Sequence, residues 1–516
     1  MAFRRLQGGR LSWAVLAAFS IWLAFPNDFW SLPPAVLLWP LALLAIGLEA
    51  RDWKAAFFLG WLATGCGMEA SLYWLCMPIA QVGGLPWALA PLVSLCIPAI
   101  LALQGGMFSA LVQAERLRPY FQLALLASLA WYLLEFAFAW SVGFPWLPLA
   151  GALAQWPALI QAAAFCGSYF TGAIWLFAFL CILAPALAGP PAGRRMGMAC
   201  LGFCLAGLLL WHGLSGGREP QKTAEYALIV EGNIDQNQKW TPPFQKQSLD
   251  VYLRLTEQGL ALAREEGIQN PLLIWPETAM PFFYEASPLL SAQIAEAARR
   301  WGCPLLFGAP GLNREAGDAV YNRAFLLGPA GQTLGIYDKV HLVPFGEYLP
   351  WWLRVEFLEA LLQGVGIYQE GESSTSLDYG NLALGVLICY EAIFPWLARD
   401  RVEGGANILV DISNDGWFGR TPAARQHLYL TALRCVEQNR WLWRATNTGI
   451  SAVVDNRSRI IETGPQFQEG SMLWQARLES GRSVYYYLGV WLPWLACAAL
   501  AGLLALGRRR RFGSRI

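Results

Sequence analysis

The sequence predicts a polytopic α-helical membrane domain of about eight spans, with one α/β sandwich domain inserted before the last span. Three observations carry this. Of 516 residues, 56% are hydrophobic and only 14% are charged, whereas a soluble globular chain carries roughly 25% charged residues. Apolar runs, each near the ~20 residues that cross a bilayer as a helix, fill the first part of the chain at about 11–27, 34–50, 55–78, 86–113, 121–140, 158–186 and 196–214. An eighth run, "VYYYLGVWLPWLACAALAGLLALG" (484–507), follows a stretch of ordinary polarity in which strand-like and helix-like patterns alternate. The formal net charge of +1 excludes a strongly basic nucleic-acid binder, so no nucleic-acid partner is expected.

The spans are ordered by their flanking charges. Arg4, Arg5 and Arg10 precede the first span, Arg51 and Lys54 follow the second, Arg116 and Arg118 the fourth, and Arg194 and Arg195 the sixth; Arg508 to Arg511 lie beyond the eighth. The intervening connections "PNDFWS", "AQVGGLPW" and "WSVGFPWLPLAGALAQWP" contain no Lys or Arg. By the positive-inside rule both termini are cytoplasmic and the inserted domain lies on the far side of the membrane, which the resemblance given below would make the periplasm. The expected divisions are 1–218 for seven spans, 225–480 for the inserted domain, 484–507 for the last span and 508–516 for a basic tail. "FRRLQGGR" before the first span resembles the start of a signal peptide, but no small-x-small cleavage site follows, and "FPNDFW" leads straight into another span. Eight of the 11 cysteines fall in spans; the inserted domain has Cys303, Cys389 and Cys435, an odd number that leaves a thiol unpaired in an oxidising compartment.

Within 225–480 each element has its own signal. "YALIVEGNI" reads as an apolar strand ending in polar residues, and "FQKQSLDVYLRLTEQGLALAREEG" as a helix with its charges on one face. "PLLIWPETAMP" is a strand stopped by Pro276, and "SPLLSAQIAEAARRWG" a helix with serine at its start and glycine at its end. "CPLLFGAPG", "YNRAFLLGP" and "GIYDKVHLVPFGE" are further strands, the last two joined by the turn "PAGQ". "LALGVLICYE", "ANILVDISND" and "ISAVVDNRS" continue the series. Mixed strands, two or three helices and hairpin-like joins predict a sandwich rather than a simple doubly wound sheet.

Three strand ends carry one chemically useful residue each: Glu277 in "LLIWPETAMP", Lys339 in "GIYDKVHLVPFGE" and Cys389 in "LICYEAIFP". Thiol attack on a carbonyl needs a base for the thiol proton and a cationic or hydrogen-bonding group for the developing oxyanion. Glu, Lys and Cys supply these roles without histidine, of which the chain has only three. In these contexts the order Glu…Lys…Cys resembles the nitrilase, or carbon–nitrogen hydrolase, superfamily. Seven spans before such a domain and one after it resemble the apolipoprotein N-acyltransferase family in particular. The matching stretches are "EGNIDQNQKW", "WPETAMP", "YDKVHLVPFGEYLP", "CYEAIFP", "SNDGWFG" and "RATNTGISAVVD". Two departures are visible: Glu231 stands where Gln is expected, and Gly416 where a slightly larger residue is common.

The resemblance implies a nitrilase-like αββα sandwich and a two-step reaction at the outer face of a bacterial inner membrane. A phospholipid, typically phosphatidylethanolamine, would acylate Cys389, and the α-amine of a diacylglyceryl-cysteine at a lipoprotein N-terminus would take the chain as an amide. Glu277 would act as base, Lys339 would stabilise the oxyanion with a backbone N–H near Tyr390, and Glu347 would hold Lys339 and the base in register. Glu391 is a second supporting carboxylate, while Trp240, Asn414, Trp417 and Tyr390 are candidates for substrate contact. No cofactor is implied. His341 and His427 read as structural, and no metal-ligand spacing occurs. Two rival readings stay open: a membrane-tethered amidase using water as second nucleophile, and a transporter or scaffold, for which Glu69 and Glu135 are the sparse intramembrane candidates.

Overall fold

A computed structural model describes residues 9–81, 83–187, 191–214, 222–235, 240–313, 319–344, 346–348, 368–372 and 375–513. Arg4, Arg5 and residues 236–239 of "EGNIDQNQKW" lie outside the described residues, as do the side chains of the basic tail. Two units emerge: Met1–Trp74 with Pro91–Gly216 and Ser483–Ile516, and Leu75–Ala90 with Gly217–Arg482.

In the first unit every predicted apolar run contains a helix: α1 (Arg10–Ala24), α2 (Leu38–Glu49), α3 (Trp53–Leu72), α4 (Ala90–Ala114), α5 (Tyr120–Ser141), α6 (Ala163–Ile182), α7 (Ala192–Leu214) and, last in the chain, α12 (Leu492–Gly513). By length and composition α4 to α7 are long and apolar enough to cross a membrane; the apolar stretches Arg10–Ala24, Pro33–Glu49 and Leu492–Gly507 are shorter. Helix α3 starts where the Asp52 carboxylate accepts the Ala55 N–H at 2.8 Å. It packs on α4 through small residues, since a methyl at Gly60 or Gly105 would collide with Ser109 or Thr64 of the facing helix. Helix α3 passes at Leu72 into a tight turn, Tyr73–Leu75, and a short helix, Cys76–Gln81, and Leu75–Ala90 belongs to the second unit. There a Cβ at Gly419 would meet Met77 at 2.8 Å.

The second unit is built on two six-stranded sheets. The first has the order β12-β1-β2-β3-β4-β5, from β1 (Lys222–Glu231), β2 (Leu272–Ile274), β3 (Leu305–Asn313), β4 (Ala319–Leu327), β5 (Thr333–Asp338) and β12 (Gly470–Arg477). The second has the order β11-β10-β9-β8-β7-β6, from β6 (Leu377–Tyr379), β7 (Leu382–Ile388), β8 (Ile408–Ser413), β9 (Leu442–Thr446), β10 (Ala452–Val454) and β11 (Ile460–Thr463). Each sheet has a parallel centre, β1-β2-β3 and β7-β8-β9, with antiparallel flanks. Period-two alternation decides the packing. Ala227 and Ile229 of β1 join Val386, Ile388, Val410 and Ile412 in the core between the sheets. Leu228 and Val230 turn the other way, onto Leu249 and Tyr252 of α8 (Pro242–Glu265) and Ile294 of α9 (Pro288–Trp301). Both faces are apolar, so the product is an αββα sandwich.

Among the described residues four helices of nine residues or more stand here rather than two or three: α8, α9, α10 (Pro395–Glu403) and α11 (Ala423–Gln438). Helix α11 escaped the sequence pattern because it is buried on nearly all sides and so shows no polar face. Gly302 ends α9 in a left-handed turn at φ 65, as expected, whereas Ser287 makes no side-chain cap and Pro288 sets the first turn instead.

Gly308 of β3 fixes how the site is framed. A Cβ there would lie 2.6 Å from the Thr278 nitrogen and 2.7 Å from the Glu277 Cα, both backbone atoms. Gly308→Ala should therefore destabilise the unit by about 1–3 kcal/mol, the usual cost of overpacking, and displace Glu277. Thermal unfolding of the detergent-solubilised protein checks this; a stabilised variant, as the better strand propensity of Ala alone would give, would show that the contact is not limiting.

Candidate active site

The chain after β2 is clamped onto β3. Trp275 N–H donates to Leu306 O at 2.9 Å and Gly308 N–H to Pro276 O at 3.1 Å, which leaves Thr278 in the left-handed region at φ 48. Glu277, 5% exposed, is thereby aimed at β4. There Asn322 spends its two amide hydrogens on two carboxylates, Nδ2 lying 2.7 Å from Glu277 Oε1 and 2.7 Å from Glu347 Oε1. Lys339 follows β5 directly, held by its N–H on Asn322 O at 2.9 Å. Its Nζ lies 2.9 Å from Glu347 Oε1 and 3.6 Å from Glu277 Oε1. Burial pushes the Lys339 pKa down, but the two carboxylates outweigh it and hold the ammonium well above its ordinary range. Glu347 is fixed in turn by the Val343 N–H, donated to Oε2 at 2.8 Å.

Cys389 comes from the other sheet. Strand β7 ends at Ile388, and Cys389 takes a left-handed conformation at φ 54 that turns the chain into the tight turn Cys389–Ile393. A non-glycine residue holds such a φ only under constraint. Ile388 pairs with Ile412 of β8, so Ser413 is the neighbour of the thiol across the sheet. The thiol is 8% exposed, and burial first, then the Glu277 charge, pushes its pKa well above the ordinary thiol value, with Lys339 opposing. At rest it is a neutral thiol beside a carboxylate and an ammonium. Glu277 Oε2 is buried and has no hydrogen-bond partner among the described residues, which leaves a lone pair for a proton. His341 is no competing base, because burial and then Lys339 push its pKa down to about 4.

The structure thus brings Glu277, Lys339, Glu347 and Cys389 together. Glu391 joins them by a different route: its carboxylate accepts from Tyr337 OH (2.8 Å), Val340 N–H (2.7 Å), His341 N–H (3.1 Å) and Ile388 N–H (2.8 Å). Tyr390 packs its ring against Phe394 and His341. Asn414 is buried and caps the turn Asp415–Phe418 by accepting the Gly416 N–H at 3.3 Å, with Trp417 half-buried in that turn. Trp240 is 45% exposed at the turn before α8. Sequence reasoning missed Asn322; an asparagine inside the apolar strand "AVYNRAFLL" was the available signal, since strands are poor in Asn. A cavity of about 340 Å³, lined by Leu342, Tyr348, Tyr368, Gln369 and Glu370, adjoins the Glu347 turn, where Tyr368 N–H donates to Glu347 O at 3.0 Å. Among the described residues no group of three or more His, Cys, Asp or Glu is placed to hold a metal ion.

Two family models match separate parts of the chain. The family model described as Carbon-nitrogen hydrolase matches residues 237–486, and that described as Apolipoprotein N-acyltransferase N-terminal domain matches 17–183. The chain is 34% identical over 506 residues to the apolipoprotein N-acyltransferase of Geobacter metallireducens, covering 96% of this chain and 95% of that one. To the corresponding protein of Allorhizobium ampelinum it is 33% identical over 446 residues, 83% and 81% of the two chains. Among solved structures, an amidase of the nitrilase superfamily from Nesterenkonia superposes with a TM-score of 0.37 at 18% identity, over 51% of this chain and 94% of that one.

The departure at Glu231 makes a pH prediction. This carboxyl, 2% exposed at the end of β1, accepts the Ser451 N–H at 3.0 Å through Oε1, while Oε2 has no partner among the described residues. Burial pushes its pKa up to about 7, against the weaker opposing pull of the Ser451 hydrogen bonds. A raised folded-state pKa favours folding below the unfolded value, near ~4.3, and that stability is lost as pH rises towards and past 7. Glu231→Gln should therefore flatten the pH dependence of the unfolding temperature between pH 5 and 8, with its largest relative gain at pH 8. An unchanged slope would show that Glu231 is ionised without penalty.

Proposed function

From its membership of the apolipoprotein N-acyltransferase family, we propose that this chain acylates apolipoproteins in two steps through a thioester on Cys389. The acyl donor is a membrane phospholipid, with phosphatidylethanolamine the expected head group. The acceptor is the N-terminal α-amine of a lipoprotein's diacylglyceryl-cysteine. One observation carries the reading most of the way: a buried thiol at a strand end within the electrostatic reach of one carboxylate with a spare lone pair and one ammonium held by a second carboxylate.

In the first step the thiol proton passes to Glu277 as sulfur bonds to the ester carbon. Negative charge gathers on the carbonyl oxygen beside the Lys339 ammonium, a preorganised charge that needs no reorganisation when the oxyanion forms. The ester C–O bond then breaks, and the proton on Glu277 goes to the departing lysophospholipid oxygen. In the second step Glu277 takes a proton from the incoming ammonium. The free amine bonds to the thioester carbon, the C–S bond breaks, and the nitrogen's second proton returns to sulfur; the proton left on Glu277 is released to solvent. Glu347 and Asn322 act by position, since both bind the groups that do the chemistry.

Wild-type protein given labelled phospholipid alone should retain acyl label that survives denaturation and is released by neutral hydroxylamine, and an amine acceptor should discharge it. Cys389→Ser should insert and fold but transfer nothing, because a hydroxyl is a far poorer nucleophile and its ester a poorer acyl donor than a thioester. Glu277→Gln keeps the shape and removes the proton acceptor, so thioester formation should slow about 10²–10⁴-fold. Near wild-type acylation by either variant would end the mechanism.

The location is proposed as the bacterial inner membrane, with residues 225–480 periplasmic and both termini cytoplasmic. It is supported by the unbroken Lys/Arg alternation between connections. An impermeant amine label added to intact spheroplasts should modify this domain; modification only after lysis would reverse the orientation.

A further inference from the structure

Behind the nucleophile lies a buried group of four ionisable side chains that the reaction as written does not use. Asp411 is on β8, Asp415 follows β8, Arg444 is on β9 and His427 is on α11, and each is 2% exposed or less. Arg444 is the hub. One of its terminal nitrogens bonds Asp411; the other lies 3.0 Å from Asp415 Oδ2 and 3.0 Å from His427 Nδ1. Asp415 Oδ1 lies 2.9 Å from His427 Nδ1 and also accepts from Ser413 Oγ at 3.2 Å. Burial alone would raise the Asp415 pKa, but Arg444 and then His427 hold it at about 2, so this carboxylate stays charged.

The other edge of the imidazole meets the nucleophile's own backbone: His427 Nε2 is 3.2 Å from the carbonyl oxygen of Cys389. A carbonyl only accepts, so Nε2 carries a hydrogen whether Nδ1 is protonated, donating to Asp415, or bare, accepting from Arg444. Both states give the same bond at the carbonyl. That carbonyl belongs to the residue held at φ 54, a conformation the surroundings must impose. Two bonds do so from opposite sides of the turn: Glu391 takes the Ile388 N–H before it, and His427 takes the Cys389 C=O after it. Because the peptide is planar, fixing that carbonyl also fixes the direction of the Tyr390 N–H on its far side.

We propose that His427, oriented by Asp415 and Arg444, is a positioning residue for Cys389: its Nε2–H holds the nucleophile's carbonyl and with it the left-handed turn that presents the thiol. A histidine that merely fills the core would share the burial but not the requirement for a donor at one atom. The proposal rests on Cys389 being the nucleophile.

Three variants separate the two roles. His427→Gln can place an amide N–H near the Nε2 position, His427→Asn reaches only as far as Nδ1, and His427→Ala offers neither. Misplacing a reacting group by about 1 Å can cost 10²-fold. Thioester formation should therefore fall about 10- to 100-fold in the Ala and Asn variants, with the donor KM within about twofold. His427→Gln should recover to within about fivefold of wild type, as a restored donor at the same atom requires. Alkylation of Cys389 by iodoacetamide, followed on its own peptide by mass spectrometry, should fall and recover in the same order, and it reads the thiol without any acyl donor. Equal defects in Gln and Asn, defects that simply track unfolding temperature, or no defect at all would each overturn the proposal. The contrast between Gln and Asn stands even where Ala fails to fold. If instead Cys389→Ser proves active, the acyl-transfer reading itself fails, a result distinct from any of these.

Discussion

Glu391 is the fastener on which the site depends. It has no exposed surface, and its two oxygens take hydrogen bonds from both sheets: Tyr337 OH, Val340 N–H and His341 N–H at the end of β5, and Ile388 N–H at the end of β7. Lys339 lies between the first pair of those donors in sequence, and Cys389 directly follows the last. A single carboxylate therefore ties the backbone beside the ammonium to the backbone beside the thiol. Burying such a group is costly unless every lone pair finds a donor. Here burial raises its pKa while Arg401 and the Ile388 N–H oppose the rise. Arg401 itself stacks over the Tyr337 ring at 4.5 Å, which completes a closed set around the junction.

The same logic organises two buried sets of charges. Lys339 with Glu277 and Glu347 is one cation between two anions, and Arg444 with Asp411 and Asp415 is another. Each cation is buried and each is kept charged by its two carboxylates against the pull of burial. The two sets sit on either side of the Cys389 turn and act differently. The first carries an anion with an open lone pair and an ammonium that reaches the thiol electrostatically. The second has its charges turned on one another and reaches Cys389 through an uncharged contact, a carbonyl. On the proposed mechanism, catalytic and positioning roles would thus be separated by which atom of the same residue is touched.

Much of this was legible in the sequence, and the limits have physical causes. Glu277, Lys339 and Cys389 could be found because each follows a short apolar strand, where a polar residue interrupts a strong pattern. Strands β1, β3, β4, β7 and β8 were legible for the same reason. Strand β12 was not, because it pairs with β1 across more than half the inserted domain and its alternation is weak. Helix α11 showed no polar face, so His427 looked like one more core residue; only its neighbours in space reveal that both ring nitrogens are committed. The stretch Leu75–Ala90 carried the apolar composition of the span before it, and composition says nothing about which unit a segment joins.

For the proposed reaction, the burial of the site favours an amine over water as the second nucleophile. The thioester proposed on Cys389 would survive only where water is scarce, and Cys389, Glu277 and Lys339 are each less than a tenth exposed. The same exclusion strengthens the attraction between Lys339 and a developing oxyanion, since charges interact more strongly away from bulk water. It also raises the resting thiol's pKa, which works against nucleophilicity unless a base such as Glu277 takes the proton. In the proposed first step a neutral thiol beside an anion would lose its proton only as the carbonyl arrives, so the reactive thiolate would exist only when there is something to attack. On that mechanism, burial and the paired lysine would serve one constraint, that the charged form of Cys389 be made on demand.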